Sequence, residues 1–139
     1  MLETSLQTLA LFTTAALFGA MVFFPSVVAP MVFRTLDPES AGKFLRALFP
    51  GYYVFMIVAS ALAAIGLYQS PLLALIMAAI AISTLAVRQL LVPKINAWRD
   101  AELAGDEAAA AKFNAGHRLS VIINLIQLVG VIWVLWRLA

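Results

Sequence analysis

Three stretches of the chain carry no charge: the residues between Glu3 and Arg34, between Arg46 and Arg88, and between Arg118 and Arg137. A helix crossing a bilayer needs about 20 mainly apolar residues, because each adds about 1.5 Å across a hydrocarbon core of about 30 Å. The middle stretch is long enough for two such helices, and the others supply one each. The 139 residues therefore read as an all-α membrane protein. A single domain, 1–139, would place four transmembrane helices in a bundle. Composition agrees: 64% of residues are hydrophobic and 12% charged, against about 45–50% and about 25% in soluble domains.

The absence of cysteine excludes disulfides and thiolate metal sites. A net charge of +2 in a soluble protein would hint at nucleic acid. Here the bases flank apolar spans, so membrane lipids are the expected partner and nucleic acid is not. The start, Met1 to Thr4, lacks the basic region of a secretory signal, and the apolar run is too long for one. The first segment is expected to be a permanent helix.

Span one covers about residues 6–33 and contains Gly19, Pro25 and Pro30. Each interior proline removes a backbone donor and crowds the preceding turn, which predicts a bend or local unwinding at Pro25/Pro30. Asp37-Pro38-Glu39 has the composition of a helix start. A short amphipathic stretch with Lys43 and Arg46 follows, and Pro50-Gly51 is expected to redirect the chain into span two, about 52–68. Gln69-Ser70-Pro71 is an uncharged turn. Span three, about 72–92, is expected to stop or kink at Pro93. Gly105 can end a helix and Asp106 can cap the next, which continues into span four, about 119–136. Trp133 and Trp136 fit an interfacial belt with Arg137 outside it. No internal repeat is evident, although the segments before spans two and four are both basic and capped.

Lipid tails are as apolar as leucine, so helices in a membrane associate through close packing at small residues and interhelical hydrogen bonds. Ala15 with Gly19 and Ala59 with Ala63 are pairs of that kind. Four helices of this length leave little volume for a wide pore, and a path between subunits of a homo-oligomer is the alternative.

Two polar features enter the membrane. Arg88 follows Leu72 by 16 residues, about 24 Å along a helix, or some 6 Å inside the boundary of a core of about 30 Å. It is either a topology anchor that snorkels to the headgroups or a bundle-facing site for an anion, a carboxylate or a headgroup phosphate. His117, Ser120, Asn124 and Gln127 fall within about 80° of one another around span four. That stripe is either interhelical glue or a hydrophilic lining. Arg34, Arg88, His117, Ser120 and Asn124 share a depth and form the candidate ligand pocket, beside the bend in span one. Tyr52, Tyr53 and the acids Asp100, Glu102, Asp106 and Glu107 read as packing and solvated surface.

The sequence also resembles a known family. Val28-Ala29-Pro30 with Phe33, then Ala41-Gly42, then Phe49-Pro50 with Tyr52-Tyr53, resembles the first half of the transmembrane protein 205-like family of small four-span proteins. Arg88 with Pro93 and Ile95 resembles its third span, and Phe113, His117, Ser120 and Asn124 resemble its entry into the fourth. The resemblance covers almost the whole chain. Bacterial members are largely domains of unknown function. The eukaryotic namesake's association with drug resistance and export implies transport. More distantly, the architecture is similar to CopD-type copper-resistance proteins and HemJ-type haem-pathway oxidases. These depend on membrane histidines, and with His117 alone a bis-histidine haem would need two subunits.

Together these features suggest passage of a small solute, ion or lipid-like molecule. A structural or lipid-organising role and a haem- or metal-linked redox role are the alternatives. No nucleophile triad, phosphate loop, zinc motif or dinucleotide fingerprint is present, so neither enzymatic activity nor a cofactor is expected. Arg34, Lys43 and Arg46 lie in the first loop and Lys94, Arg99, Lys112 and Arg118 in the third, against Arg137 alone on the opposite side. The positive-inside rule places both loops in the cytoplasm and both termini outside the cytoplasmic membrane. A reporter fused after Ala139 is expected to be active outside the cell, and activity inside would overturn this orientation.

Overall fold

The structure, a computed structural model, describes residues 2–139, Leu2 through its backbone alone. Met1, with which the expected domain begins, lies outside them. Among the described residues the chain is entirely helical. Four helices are long and apolar enough to cross a membrane: α1 (Glu3–Thr35), α2 (Pro38–Gly66), α3 (Pro71–Leu103) and α4 (Glu107–Leu138). Short connections make successive helices antiparallel. Contacts of α1 with α2, α2 with α3, α3 with α4 and α4 with α1 close the ring.

Helices of 29 to 33 residues are about 43–50 Å long, well beyond a hydrocarbon core of about 30 Å. The charges show where the excess goes. Only Glu3 and Arg137 lie at the end bearing the Gln69 turn, and the remaining charged side chains lie toward the other end, hereafter the basic end. There Asp37 caps α2 by accepting from the backbone N–H groups of Glu39 and Ser40. Asp106 caps α4 by accepting from Ala108 and Ala109. The Ser40 hydroxyl and N–H, with the Glu39 N–H, hold the Asp37 carboxyl below the usual carboxylate range. Gly105 adopts φ +100°, a conformation in which glycine avoids the clash that a Cβ would meet.

The prolines are handled within continuous helices. In α1 the irregularity expected at Pro25/Pro30 is a π-helical turn over Phe24–Val28, in which the Ala29 N–H reaches back to the Phe24 carbonyl. A second π turn, Val87–Leu91, stands just before Pro93, with the Val92 N–H bonded to the Val87 carbonyl. In each case the N–H that closes the wider turn belongs to the residue preceding proline. That relieves the crowding a proline ring imposes on the carbonyl four residues back. Helix α3 therefore runs through Pro93 to Leu103 instead of stopping there.

The redirection expected at Pro50-Gly51 is also corrected, since α2 is unbroken from Pro38 to Gly66. Pro50 is exposed. The lost hydrogen bond belongs to the Arg46 carbonyl, near the end of the helix that projects from the core. Aromatic contacts brace the same point: Phe49 and Tyr52 lie 5.3 and 5.2 Å from Phe24 of α1, and Phe49 stacks on Tyr53.

The core follows the three-and-four spacing of a helix seam. Ala10, Thr14, Leu17 and Met21 are buried on α1, Met77, Ile80, Thr84 and Val87 on α3, and Gln127, Val131 and Val134 on α4. Ala59, Ser60, Ala63 and Gly66 are buried on α2. Of the two small-residue pairs seen in the sequence, Ala59 and Ala63 face this core. Ala15 and Gly19 face outward, because the seam of α1 runs through Ala10 and Thr14. The closest backbone approach is at Gly66, where an added Cβ would stand 2.5 Å from the Leu6 carbonyl oxygen and 2.9 Å from the Ala10 methyl.

Gly66→Ala is therefore expected to force α1 away from α2 and to cost about 1–3 kcal/mol, the usual range for overpacking. Gly51→Ala, with nothing within 4 Å of its Cβ, should be neutral or stabilising by up to about 1 kcal/mol. Thermal denaturation in detergent checks the contrast. Equal effects at the two positions would contradict the packing.

Candidate functional site

The polar residues buried in the bundle form two groups. One is Thr14 of α1 and Ser60 of α2, both fully buried. The Ser60 hydroxyl is satisfied within its own helix by the Met56 and Ile57 carbonyls, and the Thr14 hydroxyl is buried without a partner. In the other, Gln127 of α4 donates through Nε2 to Ser83 Oγ at 2.8 Å and Thr84 Oγ1 at 3.1 Å. These bonds fix the register of α3 against α4. Part of the stripe on α4 is thus interhelical glue.

A second fixed point lies toward the basic end. An added Cβ on Gly116 would meet Trp98 at 2.8 Å and Ile95 at 3.0 Å, so α3 and α4 pack closely there. Beyond it Arg99 sits over the Phe113 ring at 5.2 Å and pairs with Glu102 at 2.7 Å. Arg46 of α2 grips Asp100 through two bonds of 2.9 and 3.2 Å. Of the two acids expected to be simply solvated, Asp100 ties the projecting ends of α2 and α3 together, while Glu102 pairs within α3. Both partners of the Arg46–Asp100 pair are substantially exposed, which limits its worth to about 0–1 kcal/mol.

Arg88 lies between the two fixed points, in the π turn of α3. It follows Pro71 by 17 residues, about 25 Å along the helix. The antiparallel register sets it opposite the stretch 120–124 of α4. Its Nε is buried and unbonded. None of the ion pairs among the described residues includes it. The residue as a whole is half-buried, so the unfavourable burial falls on this one donor atom, and the guanidinium fork matches carboxylate or phosphate.

The other predicted site residues are placed as follows. Asn124 is half-buried, and its amide interacts with the Tyr52 hydroxyl of α2. Ser120 is at the same level, but its hydroxyl donates to the His117 carbonyl of its own helix at 2.7 Å. Arg34 and His117 are exposed, and His117 stacks on Phe113 one turn away. The structure thus brings Arg88, Ser120 and Asn124 to one level, with Arg34 and His117 toward the bundle's surface. Tyr52 and the cluster of Phe24, Phe49 and Tyr53 around it join that level, although the sequence reading gave the tyrosines only packing roles. The signal was present in the run Phe49 to Tyr53, but only the pairing of α1 with α2 reveals its partner, Phe24. Among the described residues no group of three or more His, Cys, Asp and Glu side chains is placed to hold a metal.

A family model described as a domain of unknown function, DUF4149, matches residues 12–103. That span holds both π turns, the aromatic cluster and Arg88, and leaves α4 outside. No curated protein and no solved structure matches the chain.

Gln127→Leu is expected to lower stability by about 0.6 kcal/mol, the mean worth of an interhelical hydrogen bond in a membrane. A double-mutant cycle with Thr84→Val, followed by denaturation in detergent, measures the coupling. Strict additivity of the two substitutions would contradict the bond.

Proposed function

We propose, from the premise that the chain belongs to the DUF4149 family and is an integral membrane protein with four apolar helices, that it binds a small anionic, lipid-like solute at Arg88 and gives it carrier-like passage. The single observation behind this reading is the buried, unbonded Nε of Arg88 in a π turn. Intramembrane arginines ordinarily find a partner, and no carboxylate lies within the expected spans to supply one. An anionic carboxylate or a headgroup phosphate suits this guanidinium, with Asn124 and the Tyr52 hydroxyl as the polar groups at the same level. Resemblance to the transmembrane protein 205-like family and its link with export favours the same reading.

The packed core argues against a path down the middle of one bundle, since Leu17, Met21, Met56, Met77, Val131 and Val134 are fully buried. The solute then moves along a helix face or between subunits of a homo-oligomer. Large apolar side chains exposed on all four helices, such as Phe12, Ile65, Ile82 and Ile126, suit lipid or a second subunit. In this reading the basic end faces the cytoplasm, where it draws anions and anionic headgroups toward Arg88. The same packed core favours a second reading, in which the protein retains a lipid without moving it.

Reconstituted liposomes separate the two. Efflux of small organic anions is expected to fall about tenfold or more for Arg88→Gln, the consequence of losing one charge-assisted bond. Arg88→Lys, which keeps the charge but not the fork, should recover part of it. Equal flux from wild type, Arg88→Gln and empty liposomes would overturn passage. Retained lipid with no flux would establish the second reading.

A further inference from the structure

The end of the bundle away from the basic loops holds a recess of about 400 Å3, where α1 begins, α2 turns into α3 and α4 ends. That volume lies in the ordinary range of small-molecule sites, about 300–1,000 Å3. The close approach of α1 and α2 at Gly66 forms part of its lining. Leu11 and Leu73 give it an apolar portion, and Glu3, Tyr68, Gln69 and Arg137 give it a polar one.

Glu3 and Arg137 are the two charged side chains of this end. They line the same recess yet do not pair: neither enters an ion pair among the described residues. Each is held separately. The Glu3 carboxylate accepts from Gln69 Nε2 at 2.7 Å, and the same amide reaches Tyr68 Oη at 2.8 Å. The loop between α2 and α3 thereby fixes the acid at the head of α1. Arg137 rests over the Trp133 ring of its own helix, 6.0 Å from the centroid. An acid and a base kept apart across one recess, above an apolar portion, complement a ligand that carries both charges and has an apolar side.

We propose that this recess binds a phosphoethanolamine-type zwitterion, its ammonium on Glu3 and its phosphate on Arg137. A primary ammonium offers three donors to a carboxylate, whereas a trimethylammonium offers none. The guanidinium fork takes phosphate oxygens in pairs. The group is either the headgroup of a phosphatidylethanolamine, with the start of its acyl chains on the leucines, or a free phosphoethanolamine. The site is distinct from Arg88, about 25 Å away along α3, and does not depend on the reading given to that residue.

The test uses the full chain in detergent, with lipids of matched acyl chains and native mass spectrometry as the readout. Wild type is expected to retain phosphatidylethanolamine about tenfold better than phosphatidylcholine or phosphatidylglycerol, the worth of one charge-assisted bond. Glu3→Gln should erase the preference over phosphatidylcholine. Arg137→Gln should weaken retention of both zwitterionic lipids. Gln69→Leu, which releases Glu3 from its tether, should reduce the preference without removing a charge. Circular dichroism of each variant separates lost binding from lost fold. Equilibrium dialysis with free O-phosphoethanolamine distinguishes the sources: binding supports a soluble ligand, and retention of the lipid alone supports a headgroup. Equal retention of all three lipids with no binding of O-phosphoethanolamine would overturn the proposal, as would a preference that survives both Glu3→Gln and Arg137→Gln in folded protein.

Discussion

In hydrocarbon a backbone amide has no water to bond with, and an unsatisfied one costs several kcal/mol. The architecture of this chain follows from that constraint. It accounts for unbroken helices, and for connections that lie only where the helices end. It also shapes the treatment of proline. Pro30 and Pro93 each remove a donor from a helix that cannot be interrupted, and each is preceded by a π turn that carries the amide ladder up to the preceding residue. Pro50 stands on the projecting part of α2, where no such device is present and the freed carbonyl lies outside the deepest hydrocarbon.

With backbone bonds fixed inside each helix, association depends on surface fit. Lipid competes on equal terms with any apolar side chain, so contacts that lipid cannot imitate carry the specificity. Two kinds are visible. At Gly66 and Gly116 a helix meets its neighbour at a distance that no Cβ would permit. At Gln127 a side-chain amide crosses to two hydroxyls of α3. The Gly66 contact aligns α1 with α2, while Gly116 and Gln127 align α3 with α4, and Arg88 owes its position to that alignment.

The two ends of the bundle differ electrostatically. At the basic end the exposed pair Arg46 with Asp100 links α2 to α3, and Arg99 pairs with Glu102 within α3. Three ion pairs form there among the described residues, and the one between Arg46 and Asp100 joins two helices. The opposite end has one acid and one base that ignore each other. Arg88, between the ends, enters no ion pair among the described residues. Unspent charge in a chain that is only 12% charged is the feature by which both proposed sites are recognised.

The sequence by itself determined the helices, their number and their caps. Long uncharged runs admit nothing else in a bilayer, and Asp37, Asp106 and Gly105 act through bonds and dihedral angles local to themselves. It also singled out Arg88, because depth along a helix can be counted. It misjudged Pro50, where local propensity favoured a break and the helix stays whole; of the stop or kink expected at Pro93, the stop does not occur and a π turn stands just before it. It offered Ala15 with Gly19 and Ala59 with Ala63 alike, because spacing alone cannot say which face turns inward. Only the tertiary structure decided that face, the pairing of Phe24 with Tyr52, the tie from Gln127 to Ser83 and Thr84, and the recess uniting Glu3 with Arg137. Those depend on residues far apart in sequence, whose meeting is fixed by rotation and register between helices.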